Sequence, residues 1–404
     1  MAELNDQHKV RLSEAKRYIR HASVKRKRPV FIWGPPGVGK SDVVESIVSD
    51  ALAAGKTAKL YDMRLSMCEP TDIMGIPYFD SGTNIDASLM TALFQEVITN
   101  IDRDDKNAIA TAKASFELKC RAMFGDAVGG QMKWAPPSLL PKQSDINNYD
   151  LVVLFLDELN GAAPAVQAAA YQLILNRRVG EYKLPDNVMI VAAGNREADK
   201  GVTYRMPAPL ANRFVHLEMQ VSFDDWFEWA VSNKVHQDVV GYLQFAKQDI
   251  YTFDPKSPSR SFATPRSWAF VSELLDDHLD AGTTTDLVAG AIGEGLAVKF
   301  MAHRKVAANM PLPSDILEGK VKELKTNEVS AMYSLTVSLC YELKASSDAN
   351  DKKFDEKFNY FLRFAMDNFE TEMVVMGIKL ALTQYQLPID PDAVECFDEF
   401  HDRY

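Results

Sequence analysis

Cysteine is scarce in this sequence and is never paired at short spacing. The 404 residues contain four cysteines, Cys68, Cys120, Cys340 and Cys396. None of them forms a C-x-x-C pair, which is the spacing typical of a zinc site or a redox motif. We therefore expect four reduced thiols, and neither a disulfide framework nor a cysteine-bound metal.

Long apolar runs are missing as well. No stretch approaches the roughly 20 consecutive apolar residues that a membrane helix requires, so we expect no membrane insertion. The first 20 residues alternate charged and apolar side chains and lack the segments of a secretory signal. Both absences favour a cytoplasmic protein.

Positive charge is not in excess. Lys and Arg number 45 against 56 Asp and Glu, which gives a formal net charge of −11. This balance disfavours general attraction to nucleic acid or to anionic lipid. A nucleic-acid partner is therefore not expected, although a local basic patch such as residues 25–28 leaves it open.

What the sequence does contain is an alternation of short apolar runs and amphipathic segments in its first half. Runs bounded by glycine, proline or polar residues predict five strands, and helical spacing predicts three helices between or before them. The predicted strands are 29–33, 59–63, 151–156, 188–193 and 213–219, and the helices are 1–24, 41–54 and 164–176. This alternation predicts an α/β fold with a parallel five-stranded sheet and helices on both faces.

The second half of the sequence has a different pattern of predicted secondary structure. Beyond about residue 221 every convincing segment is helical. We therefore predict an α/β domain at 1–220, a helical domain at 221–306 and a helical extension at 307–404. Helical patterning at about 80–134 predicts an insert within the first domain.

A glycine-rich segment lies between the first predicted strand and an amphipathic helix. GPPGVGKS, at residues 34–41, fits the pattern G-x-x-x-x-G-K-[ST]. Glycines let backbone N–H groups surround phosphate oxygens, Lys40 can reach the terminal phosphates, and Ser41 can offer its hydroxyl to Mg²⁺. The alternative is a plain glycine-rich turn. The predicted nucleotide-binding residues are Gly34, Pro35, Pro36, Gly37, Val38, Gly39, Lys40 and Ser41.

Two acids directly follow the most apolar predicted strand. Asp157 and Glu158 would stand at the carboxyl edge of the sheet, where ligands of open α/β sheets bind. We predict that Asp157, with Ser41, holds the Mg²⁺ shell and that Glu158 orients or polarises the attacking water. The alternative is that these acids cap a helix beginning near Asn160.

A neutral amide follows the next strand. Asn195 would reach the same edge and could hydrogen-bond both a γ-phosphate and water without adding negative charge. Taken singly it is equally well interpreted as a turn-forming asparagine after glycine. Its position beside the phosphate loop and the two acids favours the catalytic interpretation.

Taken in order, five segments resemble motifs of one family. GPPGVGKS, LFLDELN, AAGNRE, PLANRF and TPRSW resemble the Walker A, Walker B, sensor 1, arginine-finger and sensor 2 segments of AAA+ ATPases. The resemblance covers roughly residues 29–275. Within that family the chain is most similar to the MoxR branch, on the strength of EPTDIMGIP at residues 69–77.

The resemblance implies a P-loop NTPase fold with a helical lid, and ATP, ADP and Mg²⁺ as ligands. It implies that Arg213 is a finger inserted into a neighbouring subunit's nucleotide and that Arg266 contacts the γ-phosphate within its own subunit. A finger that acts in trans implies a ring of identical copies, with six as the expected number. It further implies a hairpin at about 178–186 and a protein client, recruited through a partner with a von Willebrand factor A domain.

The leading hypothesis is thus a Mg²⁺-dependent ATP hydrolase that remodels proteins. One alternative is a motor that depends on nucleic acid, such as a helicase or translocase, against which the net negative charge argues. Another is a nucleotide-gated scaffold with negligible turnover. The presence of Asp157, Glu158, Asn195 and Arg213 disfavours the scaffold.

Overall fold

The structure is a computed structural model, and it describes most of the chain outside the predicted insert. The described residues are 9–25, 28–80, 95, 111, 114–116, 118–119, 131–135, 137–179, 182–199, 204–275, 279–326, 328–390 and 393–403. Most of the predicted insert at about 80–134 lies outside these residues. Cys68, Cys340 and Cys396 lie within them and are free thiols.

A parallel sheet forms the centre of the first half. The strands, in chain order, are β1 (Lys9–Val10), β2 (Val30–Trp33), β3 (Ala58–Arg64), β4 (Ile76–Asp80), β5 (Gln131–Ala135), β6 (Leu151–Asp157), β7 (Arg178–Val179), β8 (Tyr182–Lys183), β9 (Val188–Gly194) and β10 (Val215–Met219). Six of them pair in the order β1-β10-β2-β9-β6-β3, and every pairing in this sheet is parallel. This confirms the predicted α/β class.

The sheet has one strand more than the five predicted. The additional strand, β1, falls inside the segment predicted as a helix at 1–24, where the helix begins only at Leu12. Val10 is completely buried where β1 pairs with β10 at the sheet edge. A strand of two residues is too short to show an alternating pattern, so tertiary pairing decides its conformation.

Helices cover both faces of this sheet. The helices of this half are α1 (Leu12–Ile19), α2 (Lys40–Ala53), α3 (Pro70–Met74), α4 (Gln143–Asn148), α5 (Pro164–Asn176) and α6 (Ala208–Ala211). Val153 and Phe155 of β6 point into a core shared with α2, whereas Leu154 and Leu156 point into a core shared with α5. Burial on both faces explains why the central strands are almost continuously apolar.

Two short antiparallel ladders project from this domain. β4 pairs with β5, and this two-stranded stem flanks residues 81–130 in the sequence. β7 pairs with β8 within the hairpin predicted at about 178–186. Among the helices of the described residues, none is both long enough and apolar enough to cross a bilayer.

The second half is helical, as predicted. Its helices are α7 (Phe223–Ser232), α8 (Gln237–Phe245), α9 (Pro265–Leu274), α10 (Ala281–Ile292), α11 (Glu294–Ala307), α12 (Pro313–Leu317), α13 (Val329–Asp348), α14 (Phe354–Asn368), α15 (Thr371–Lys379) and α16 (Phe397–Arg403). Buried side chains from both sides of the boundary predicted at 306, such as Trp268, Phe300 and Phe361, belong to one hydrophobic core. The residues on the two sides of this predicted boundary therefore share one core.

Candidate active site

The glycine-rich segment forms a tight loop between β2 and α2. Gly37 and Gly39 adopt φ values of +75° and +88°, in the region that favours glycine. A Cβ atom at Gly37 would lie 2.8 Å from the Cβ of Thr264, so a side chain has no room there. The loop opens onto the amino end of α2, a helix of 14 residues. Backbone N–H groups at such a helix end form a site for anions, phosphate among them.

Lys40 connects this loop to the end of a neighbouring strand. Its Nζ donates to the carbonyl oxygens of Gly34 at 2.8 Å and Pro35 at 3.0 Å, and to Asn195 Oδ1 at 2.9 Å. Burial lowers the Lys40 pKa to about 8, against the opposing effect of the nearby Asp157 carboxylate. The amine is thus held where phosphate oxygens would approach, close to the predicted polar amide.

We expect nucleotide affinity to fall as the pH rises above about 8. Below that pH Lys40 is charged in the free protein; above it, binding a polyphosphate must first restore the proton, so affinity should weaken about tenfold per pH unit. Titration calorimetry with ATPγS between pH 7 and 9.5 measures this. Arginine keeps its charge throughout, so Lys40→Arg should show a flat profile. Equal slopes for the two proteins would contradict the assignment.

Ser41 and Asp157 meet beside Lys40. The Ser41 hydroxyl donates to Asp157 Oδ2 at 3.3 Å, and Asp157 is 9% exposed at the end of β6. Hydroxyl and carboxylate oxygens are donors that fit Mg²⁺, which usually takes one or two protein ligands together with phosphates and water. Among the described residues no group of three or more His, Cys, Asp or Glu side chains forms a metal cage. The pair therefore fits a cation that is bound jointly with a phosphate.

Glu158 lies next to this pair in a constrained backbone conformation. Its φ is +54°, a left-handed value that costs a non-glycine residue about 1–3 kcal/mol. Its carboxylate accepts a hydrogen bond from the hydroxyl of Ser66, which lies just after β3. Ser66 carries no signal in the sequence, because nothing there indicates that β3 and β6 are neighbours.

Neither acid makes a side-chain capping hydrogen bond to a helix, which argues against the alternative interpretation of Asp157 and Glu158. The helix expected near Asn160 begins at Pro164 instead, after a short 3₁₀ turn. Glu158 precedes that turn without a capping hydrogen bond from its side chain, and Asp157 Oδ1 accepts from the Glu158 N–H at 2.8 Å.

Asn195 is held in place by Asn160, a second residue of the site that carries no recognisable signal in the sequence. The Asn160 amide nitrogen donates to the Asn195 carbonyl oxygen at 2.6 Å, and its oxygen accepts from the Asn195 N–H at 3.2 Å. Asn160 is 2% exposed, and a Cβ on Gly194 would lie 2.1 Å from its Oδ1. This reciprocal pairing fixes the backbone of Asn195, while the Asn195 side chain is free to accept the hydrogen bond from Lys40. Gly194 is the sequence feature that could have indicated this contact, because a glycine leaves room for the Asn160 side chain.

Asn160→Asp should impair turnover more than nucleotide binding. The carboxylate cannot donate to the half-buried Asn195 carbonyl, which loses its partner at a cost of about 1–3 kcal/mol. We expect a free energy of unfolding reduced by that amount and turnover lowered about tenfold. Denaturant unfolding and phosphate release measure the two effects. Asn309→Asp is the matched control, since this exposed amide also donates to a carbonyl; equal effects of both changes would contradict the role.

The helical lid reaches the phosphate loop through the start of α9. Thr264 caps α9, its hydroxyl accepting from the Ser267 N–H at 3.0 Å, and it abuts Gly37. Arg266, exposed in the first turn of α9, lies two residues after Thr264, and alongside burial its positive charge contributes to lowering the Lys40 pKa. The structure therefore brings together the phosphate loop, Asp157, Glu158, Asn195 and Arg266.

Arg213 lies apart from this group. It is exposed in the turn between α6 and β10. β10 runs parallel to β2 with Val215 opposite Val30 and Glu218 opposite Trp33, so the Arg213 backbone lies more than about 10 Å from the end of β2 where the loop starts. Arg213 therefore stands toward the opposite edge of the sheet from its own phosphate loop.

Comparisons with known proteins add little to this geometry. No protein-family model matches the chain, and neither does any curated protein. Among solved structures, AMPPCP-bound DnaA from Aquifex aeolicus is 12% identical with a TM-score of 0.30, covering 100% of this chain and 95% of that one. A RuvB variant from Thermotoga maritima is 15% identical with a TM-score of 0.32, covering 88% and 86%. At these scores the likeness carries no further argument.

Proposed function

We propose that this chain is a cytoplasmic, Mg²⁺-dependent ATP hydrolase of the AAA+ type. The observation that carries the proposal is the convergence of two hydrogen bonds, Lys40 to Asn195 and Ser41 to Asp157. They join the phosphate loop to the ends of β9 and β6. The Lys40 amine, the proposed Mg²⁺ ligands and the Asn195 amide therefore lie close together. Phosphoryl transfer needs this combination of positioned charges and hydrogen-bond donors.

The contacts support a proposed role for each residue. Lys40 binds the terminal phosphates, Asn195 donates its amide to the γ-phosphate or to the attacking water, and Glu158 orients that water and accepts its proton. Ser41 and Asp157 would hold Mg²⁺, which would supply positive charge to offset that of the phosphate groups. Arg266 would contact the γ-phosphate from the lid.

Completion of the site by a second copy is the next part of the proposal. Arg213 is exposed and distant from its own phosphate loop, as a group that serves a neighbour's nucleotide would be. Such a finger can contribute roughly 10³ to 10⁵ in rate. Identical head-to-tail contacts close into a ring, and the resemblance to AAA+ proteins favours six copies.

The client is proposed to be a protein. Large apolar side chains are exposed on the β4–β5 stem and in the turn after β3: Ile76 and Trp134 of the stem are 52% and 38% exposed, and Met67 of the turn is 83% exposed. Apolar side chains bind polypeptide better than a phosphate backbone, which proteins contact chiefly with basic side chains. The resemblance to the MoxR branch favours recruitment through a partner with a von Willebrand factor A domain.

Phosphate release by a mixture of two variants tests the shared site. Lys40→Ala copies lack a working phosphate loop but keep Arg213, and Arg213→Ala copies have the opposite defect. Each alone should be inactive, whereas the mixture should regain part of the turnover at mixed interfaces. A mixture as inactive as its components would reject the shared site. Stimulation of the unmodified protein by DNA at physiological salt would favour the nucleic-acid motor instead.

A further inference from the structure

A chain of two hydrogen bonds connects the strand before the phosphate loop to the turn that carries Arg213. The indole Nε1 of Trp33 donates to His216 Nδ1 at 2.8 Å. His216 Nε2 lies 2.8 Å from the carbonyl oxygen of Ala211. Trp33 is the last residue of β2, directly before Gly34, and Ala211 is the last residue of α6, two positions before Arg213.

The chemistry of the partners fixes the state of the imidazole. An indole nitrogen can only donate, so His216 Nδ1 must accept and carries no proton. A carbonyl oxygen can only accept, so Nε2 must carry the proton and donate it. A neutral His216 in this tautomer is thus the one form that makes both bonds. No sequence pattern indicates a role for His216, because its partners come from distant segments.

Aromatic packing holds this chain of contacts in place. The Trp33 and His216 rings are stacked, with centroids 5.9 Å apart. Phe31 and Phe214 meet edge to face at 5.3 Å beneath them, and both are buried. Phe31 and Trp33 belong to β2, His216 belongs to β10 and Phe214 directly precedes it; β2 and β10 are paired in register. The group therefore links two neighbouring strands as a packed unit.

We infer that His216 is a positioning residue for Arg213. It holds the turn that carries Arg213 in a fixed relation to the phosphate loop of the same copy. Arg213, which would act on the nucleotide of the next copy, is thereby positioned by Trp33 at the end of β2. This inference rests on the proposed function, because it gives Arg213 a neighbour's nucleotide to act on.

The two-variant mixture provides the test, because it separates the copy that supplies Arg213 from the copy that hydrolyses ATP. His216→Phe keeps an aromatic ring in the cluster and loses both hydrogen bonds. Placed in the Lys40→Ala copies, which supply the finger, it should lower kcat about 10- to 100-fold, since a misplacement of about 1 Å can have effects of that size. The KM for ATP should not change. Placed in the Arg213→Ala copies, it should leave turnover within about twofold of the unmodified mixture.

Two further variants distinguish loss of positioning from misfolding, and one of them measures rescue of the activity. Trp33→Phe removes the indole N–H by a different substitution and should give the same asymmetry between the two copies. His216→Gln can still donate to the Ala211 carbonyl and should restore a large part of the activity. Circular dichroism and the denaturant midpoint identify any variant that does not fold.

The outcomes are distinguishable. If the unmodified mixture shows no turnover, the shared site itself is wrong and the inference falls with it. If that mixture is active and His216→Phe lowers turnover equally in either copy, or in neither, the positioning role alone is overturned. An effect confined to the finger-supplying copy, with partial rescue by His216→Gln, supports it.

Discussion

Lys40→Ala is expected to abolish measurable ATP binding. The Lys40 amine stands inside the phosphate loop, where it donates to the carbonyl oxygens of Gly34 and Pro35 and to Asn195. Removing a buried cation from a charge-paired contact costs about 2–5 kcal/mol, which corresponds to an affinity loss of roughly 30-fold to several thousand-fold. Calorimetry with ATPγS measures the loss directly.

Lys56→Ala is the matched control for that experiment. Lys56 is exposed in the turn after α2, so its removal changes the net charge equally without touching the loop. It should bind ATPγS as the unmodified protein does. Binding by Lys40→Ala within about threefold of the control would show that the loop is not a phosphate site.

Glu158→Gln should keep ATP binding and stop turnover. Glutamine matches glutamate in shape, and its oxygen can still accept from Ser66. It cannot accept a proton from water, and the loss of a general base lowers turnover by about 10² to 10⁴. Phosphate release under saturating ATP, with ATP binding measured in parallel, separates the two properties.

The comparison for this variant is Glu228→Gln, on the exposed face of α7. It removes the same charge from a residue outside the proposed site and should leave turnover unchanged. Normal phosphate release by Glu158→Gln would remove Glu158 from the mechanism. Loss of ATP binding by the same variant would instead assign the residue a structural role.

The parts of the site that the sequence predicts share a local cause. Glycine spacing determines the phosphate loop, and apolar runs that end in polar residues place Asp157, Glu158 and Asn195 at the end of a strand. Since parallel strands all direct their carboxyl ends to one edge, the meeting of these residues follows from the fold class. The roles of Arg213 and Arg266 could be suggested only by resemblance, because an isolated arginine carries no local pattern.

By itself, then, the sequence determined the α/β class, the phosphate loop and the polar residues at the strand ends, because period, glycine placement and strand polarity are local properties. Only the tertiary structure decided that β1 forms an edge strand and that Asn160 pairs with Asn195. The same is true of the hydrogen bond from Ser66 to Glu158 and of the hydrogen bonds that connect Trp33 through His216 to Ala211. Each of these depends on which strands lie side by side in the order β1-β10-β2-β9-β6-β3. That order arises from packing between segments far apart in the chain, and no pattern within any one segment specifies it.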